Sequence, residues 1–222
     1  GLLAAEKGTL IQTHLAETIS ECQLVSDLFG GASYVDVYQR ANLVTGKSVM
    51  GHGIHLSDTE VTALKDTGAV VAHCPVANSF LGAGSMNRKR LGDGGVRVAL
   101  GSDVGAGYEI SMVRVARSMI ETAAALGGDF PSAAEAWHLI TAGNSDALGW
   151  SEVGRLRVGA SADLLVIQPD TPWLTNDLDP LVESLGFVGF DSIDLLRFVE
   201  SEMDSEEEAV FLEQVRSGDS VA

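Results

Sequence analysis

Three apolar runs in this chain each stop at a polar side chain suited to chemistry, and that repetition restricts the folds open to it. Gly8 to Gln12 leads into Thr13-His14-Leu15-Ala16-Glu17, Lys47 to Met50 into Gly51-His52-Gly53, and Val96 to Leu100 into Gly101-Ser102-Asp103-Val104-Gly105. Short apolar runs bounded by glycine and helix-like text read as buried parallel strands. On this pattern the strands are Thr9 to Thr13, Ser48 to Gly51, Ala69 to His73 and Arg97 to Leu100. Helical spacing falls between and after them. Glu60 to Asp66 has Ser57 as N-cap and Glu60 at the capping-box position, Ile110 to Leu126 ends at Gly127-Gly128, and Ser132 to Thr141 is capped by Ser132. Such alternation predicts βα units around a parallel sheet.

A His, a His and an Asp at the carboxyl ends of successive strands stand where barrel enzymes gather their catalytic groups. Imidazole and carboxylate donors suit a divalent metal such as zinc. Glu17, three residues after His14, faces the same space as a proton carrier. Taken singly, each has a plainer reading. A histidine after a strand is commonly a hydrogen-bonded core or loop residue, and an Asp in a Gly-Ser-Asp turn commonly shapes the turn. The three in this order, each at a strand end, are not accounted for in that way. Gly105-Ala106-Gly107 lacks the Lys-Ser/Thr of a phosphate loop and the full GxGxxG, so its glycines read as a tight turn around the Asp103 carboxylate.

The composition narrows the function classes. In 222 residues, 45% are hydrophobic and 20% charged, which is the make-up of a folded chain with one substantial core. The formal charge of −17 opposes a phosphate backbone, so a nucleic acid polymer is excluded as partner while a free base is not. No apolar run is long enough for a membrane span, and no export signal is recognisable, so the expectation is a cytoplasmic protein without a membrane partner. Cys22 and Cys74 form no CxxC or finger pattern, and no disulfide is expected. The acidity concentrates between residues 177 and 219, where Ser205-Glu206-Glu207-Glu208 reads as a capped helix start with a solvated face.

The text resembles the guanine deaminase branch of the metal-dependent amidohydrolases. The resemblance lies in TLIQTHLAE (Thr9 to Glu17), YVDVYQRANLV (Tyr34 to Val44), VMGHGIHLSDTE (Val49 to Glu60), VVAHCPVANSFLGAG (Val70 to Gly84), VRVALGSDVGAGYEISM (Val96 to Met112) and GRLRVGASADLLVI (Gly154 to Ile167). It implies an α/β fold, the C-terminal half of a TIM-like (β/α)8 metal-dependent hydrolase barrel plus part of a small β-sandwich domain. The expected division is 1–149 for the second half of the barrel, 150–170 for part of the small β domain, with a strand from Ala162 to Ile167, and 171–222 for an acidic, partly helical segment. Four strand–helix units can be counted where a closed barrel has eight. They correspond to the fifth to eighth, and the His-x-His of the first strand is expected upstream.

The resemblance also assigns roles. His14 and Asp103 become ligands of one zinc ion per site, with the remaining ligands upstream, and both also border the substrate. Glu17 becomes the general acid/base, and Asp103 steers the attacking hydroxide at the ring carbon. His52 orients that hydroxide and stabilises the tetrahedral intermediate. His55 reads as a packing or loop residue and His138 as structural. His73 is expected to support the loop from Pro75 to Gly84, within which Asn78 and Ser79 orient the pocket through backbone bonds. The implied reaction is hydrolytic deamination of guanine to xanthine and ammonia, in a complete enzyme that can be a homodimer. Two other readings stay open: a related amidohydrolase acting on another purine, a pterin or an adenosine-like compound, and a non-catalytic remnant that keeps half a barrel as an interaction surface.

Overall fold

The computed structural model describes residues 1–127 and 130–163. Its centre is a four-stranded sheet in the order β1-β2-β3-β4, made of β1 (Ile11–Leu15), β2 (Ser48–His52), β3 (Val70–His73) and β4 (Arg97–Leu100). Every neighbouring pair is parallel, with His14 opposite Gly51, Gly51 opposite Ala72 and Ala72 opposite Ala99. Parallel pairing requires crossovers, and helices supply them. Helix α1 (Leu2–Lys7) precedes β1; α2 (Ile19–Leu28) and α3 (Tyr34–Arg40) follow it; α4 (Asp58–Thr67) joins β2 to β3. Helices α5 (Pro75–Phe80) and α6 (Arg88–Asp93) join β3 to β4, and α7 (Met112–Ala125), α8 (Ala133–His138) and α9 (Asn144–Leu148) come after β4.

The helix starts are written locally. Thr18, Ser33 and Ser57 each accept a hydrogen bond from the backbone three residues on, while Glu21, Asp36 and Glu60 return one to the cap. Such reciprocal caps satisfy donors that an isolated helix end leaves unpaired. Glu60 does more. Buried at 8% exposure, it also accepts from the backbone N–H of Val35 at 3.2 Å, tying α4 to the start of α3.

The main core lies between the sheet and the helices that cross it, where Leu15, Met50 and Val71 meet Val35, Leu64 and Leu91. A second cluster joins Leu100 and Val76 to Val115, Met119 and Ile120 of α7 and Ala136 of α8. The opposite sheet face is open at β1, where Gln12 and His14 are exposed while Leu15 is buried. At the amino ends of the strands, the Arg97 guanidinium donates to the carbonyls of Gly46, Gly68 and Ala147 and stitches three loops together.

Two expected elements differ in extent. The first strand runs Ile11–Leu15 rather than Thr9 to Thr13, so His14 stands within it, held by the β2 register. The expected helix from Ser132 to Thr141 is α-helical only to His138; Leu139–Gly143 widens into a π-type turn, with Thr141 at φ −124° and ψ −106°. Met112–Ala125, with Gly127 beyond it at φ 66°, bears out the long helix within two residues at its start. Gly154 and Gly159 both take positive φ, at 75° and 83°. The expected strand from Ala162 lies almost wholly outside the described residues, and the helix start at Ser205 entirely so.

Candidate metal centre

The carboxyl ends of β1, β2 and β4 each deliver one polar group to a common point. His14 projects from β1, His52 is the last residue of β2, and Asp103 follows β4 by three residues. One potential ligand atom from each lies within 4.8 Å of the other two. The His14 and His52 rings stack at 5.4 Å with 14° between their planes. His52 Nε2 stands 3.6 Å from a Glu17 carboxylate oxygen and 4.0 Å from one of Asp103. All four expected residues therefore meet.

The backbone is bent to achieve this. Four non-glycine residues among those described take positive φ, and three are here: Ala16 at 47°, His52 at 71° and Asp103 at 51°. Left-handed backbone is unfavourable for such residues and persists where surrounding structure holds it. Gly53 continues the turn at φ 56°, and a Cβ there would meet Val71 Cγ1 at 2.6 Å, so glycine is required on both counts. After Asp103, the N–H of Gly107 donates to the Asp103 carbonyl at 2.8 Å, which closes the tight turn that the Gly105-Ala106-Gly107 run implies.

His52 is buried, and its orientation is set from the other side. Its Nδ1 lies 2.8 Å from the Asn78 side-chain oxygen. An amide oxygen accepts, so Nδ1 donates to it and Nε2 is the ring nitrogen that faces the two carboxylates. Asn78 thus acts through its side chain as well as its backbone, whose N–H donates to the Cys74 carbonyl and whose carbonyl accepts from Ala83, both at 2.9 Å; Ser79, exposed, accepts from the Gly82 N–H at 3.2 Å. The side-chain bond was not foreseen, since its partner is 26 residues away. Asn144 was not foreseen at all. Its amide oxygen accepts from the Leu100 N–H and its amide nitrogen donates to the Leu100 carbonyl, both at 2.9 Å, so one side chain stands in for a neighbouring strand beside Asp103.

Other candidates fall outside the centre. His55 is held in its loop as expected, its Nε2–H donating to the Ala83 carbonyl at 2.9 Å. His73 is buried beside Met86, Arg88 and Met119, with no hydrogen-bond partner on either ring nitrogen among the described residues. Burial, then the Arg88 charge, pushes it down to about 3, so it is neutral. Both cysteines are free. Burial, then Asp103, pushes the Cys74 thiol up to about 12, which keeps it protonated beside the site. An open cleft of about 610 Å³ between α5 and α7, lined by Ser79, Phe80, Tyr108, Glu109 and Arg114 among others, is lined by none of the four site residues.

Two imidazoles and a carboxylate with converging ligand atoms fit a divalent metal, and one imidazole already has its far nitrogen engaged as metal-bound histidines do. Three protein donors leave room for a further ligand or a reacting molecule.

Known proteins resemble this chain in sequence and in fold. Rattus norvegicus guanine deaminase is 35% identical over 176 residues, 76% of this chain and 39% of that protein. The solved structure of E. coli guanine deaminase matches with a TM-score of 0.80 at 30% identity, over 85% of this chain and 46% of that one. Guanine deaminase from C. acetobutylicum, solved with guanine bound in its active site, matches with a TM-score of 0.64 at 29% identity, over 68% of this chain and 38% of that one. The chain spans about two fifths of the length of the curated relatives it matches. The amidohydrolase family model matches residues 2–205, most of the sequence, and the chain belongs to the amidohydrolase family.

Proposed function

We propose that this chain carries part of the active site of a guanine deaminase, in which guanine and water give xanthine and ammonia. The observation that carries the reading is the meeting of His14, His52, Asp103 and Glu17 at the carboxyl ends of parallel strands of one sheet. Guanine in the active site of the C. acetobutylicum relative supports the substrate. The four βα units are read as the second half of an eight-stranded barrel, residues 1–149, with 150–170 entering a small β domain and 171–222 an acidic segment.

His14 and Asp103 would hold one zinc ion, which at such a site supplies the Lewis acidity that makes water a nucleophile near neutral pH. Asp103 accepts a hydrogen bond from the attacking water and aims it at the ring carbon bearing the amine. His52, its ring fixed by Asn78, orients the same water through Nε2. Glu17 takes the proton released on attack and delivers it to the ring nitrogen; it then takes the proton of the newly added hydroxyl and passes it to the amine, which departs as ammonia and leaves the carbonyl of xanthine. The half-buried position of Glu17, at 20% side-chain exposure, suits a carboxylate that must hold a proton and give it back. His14 and Asp103 flank the open face of the sheet from which the purine ring enters.

The test is zinc content and ammonia release for the full-length protein, with guanine, adenosine and a pterin offered in parallel. Zinc near one per site with ammonia from guanine is the expected result. Turnover of an adenosine-like compound alone would move the substrate, and zinc-free protein without activity on any of them would end the enzyme reading.

A further inference from the structure

The segment Tyr34 to Tyr38 supplies none of the converging ligand atoms, yet it is linked to Glu17 through one side chain. Glu21 is the third residue of α2, where a capping-box carboxylate ordinarily returns a bond to the cap's own N–H. Here it reaches further. One Glu21 oxygen accepts from the N–H of Glu17 at 2.9 Å and from that of the cap residue Thr18 at only 3.4 Å. The other oxygen accepts from the Tyr34 hydroxyl at 2.6 Å. Bonds of this kind to a carboxylate are among the stronger and more directional ones in proteins.

The other end of the same peptide unit is also held. The Ala16 carbonyl accepts from the backbone N–H groups of Ile54 and His55, at 3.1 and 3.0 Å, in the loop that leaves His52. Ala16 is buried and sits at φ 47°. The Ala16–Glu17 peptide is thus clamped at its oxygen by the His52 loop and at its nitrogen by Glu21. That peptide sets the direction in which the Glu17 side chain leaves the backbone. Tyr34 meets Tyr38 edge to face at 5.0 Å, and the Tyr38 hydroxyl lies 3.1 Å from Thr13 Oγ1, one residue before His14. Burial, followed by the Glu21 contact, raises the Tyr34 phenol, so it stays a donor throughout the neutral range.

We propose that Glu21, braced by Tyr34, is a positioning residue for Glu17: it holds the Ala16–Glu17 peptide so that the Glu17 carboxylate reaches the reacting water and ring nitrogen. The proposal rests on the reading of Glu17 as the proton carrier. Misplacing a catalytic group by a fraction of its working distance costs rate and spares ground-state binding.

The experiment compares Glu21→Ala, Glu21→Gln, Tyr34→Phe and Thr18→Ala in the full-length protein, with Glu17→Gln alone and combined with Glu21→Ala. Thr18→Ala weakens the same helix cap without touching the bond to the Glu17 N–H. Glu21→Ala should lower kcat for ammonia release by about 10- to 100-fold, with KM and metal content little changed. Glu21→Gln, which keeps an acceptor oxygen, should recover much of the loss, and Tyr34→Phe should lose less than Glu21→Ala. Thr18→Ala should lower Tm while leaving kcat near wild type. Adding Glu21→Ala to Glu17→Gln should cost nothing further, because the brace acts through Glu17. Hydrogen exchange at the Glu17 amide gives a readout independent of turnover: it should quicken in Glu21→Ala and not in Thr18→Ala. If Glu17→Gln abolishes turnover while Glu21→Ala stays within about twofold of wild type, the proton-carrier reading survives and the brace is refuted. Loss of kcat in Thr18→Ala equal to that in Glu21→Ala refutes it too, since the effect would then be helix stability. Full turnover in Glu17→Gln removes both the reading and the proposal.

Discussion

Glu17 and Asp103 stand within 4.0 Å of the same imidazole nitrogen, yet their chemistry separates cleanly. Asp103 belongs to the set of converging ligand atoms and Glu17 does not. Glu17→Gln keeps length and hydrogen bonding but removes the proton carrier, so turnover in the full-length protein should fall by roughly 10²–10⁴-fold with metal content near normal. Asp103→Ala should lose metal and activity together. Ammonia release and zinc per subunit, measured on both variants, decide it; equal zinc loss in the two would reverse the assignment. These four site residues were legible because His14, His52 and Asp103 each follow an apolar run and Glu17 stands three residues after His14. The side-chain bond of Asn78 and the role of Asn144 were not, because each works on a partner that folding alone brings near, 26 and 44 residues away.

At the scale of elements, the strands were legible within two residues because buried parallel strands are short apolar runs. The slip at β1 has a physical cause. Leu10 and Leu15 are equally apolar, but Leu10 is exposed and Leu15 buried, and only pairing with β2 distinguishes them. The break after α8 was hidden for a similar reason, since no proline or glycine precedes the distorted Thr141. The end of β4 depends on the Asn144 amide. Asn144→Ala leaves the Leu100 N–H and carbonyl without that partner, and should cost ~1–3 kcal/mol in urea unfolding. A change below a few tenths would mean water replaces it fully. At the end of β3, His73 makes stability depend on pH. The unfolded imidazole protonates near 6.5 and the buried one near 3, so the folded chain refuses a proton that the unfolded chain takes. The stability of the neutral ring is fully present above pH 6.5 and is lost as pH falls towards 3. Between those limits one proton changes the folding equilibrium by about tenfold per pH unit, and His73→Leu should flatten the slope by that amount. Urea midpoints of both proteins from pH 7 to pH 4 give the comparison, and parallel curves would show that His73 does not titrate on unfolding.

At the scale of the molecule, the sheet order β1-β2-β3-β4 leaves β1 and β4 as edges among the described residues, and exposes Gln12 and His14 on one face. Unpaired edges favour association with other strands. The 222-residue chain by itself should therefore self-associate and bind zinc weakly, and its formal charge of −17 should make association stronger as salt is raised. Sedimentation across a salt series with a zinc titration tests this; a monomer with tight one-to-one zinc would overturn it. The parallel sheet and helix alternation were legible from the alternating text, whereas the strand expected from Ala162 lies almost wholly outside the described residues.

Because the donors come one apiece from β1, β2 and the segment after β4, no local hairpin or single βα unit can assemble them. The order of events in folding follows. Pairing β1 with β2 brings the two imidazoles together early, but the carboxylate arrives only when β3 has bridged β2 to β4. Such distant contacts are slow to form, since the intervening loops lose their freedom before the contacts repay it. Ion capture is thus a clock for the last strand: when the full-length protein is refolded, metal uptake should lag behind helix formation and coincide with the arrival of Asp103.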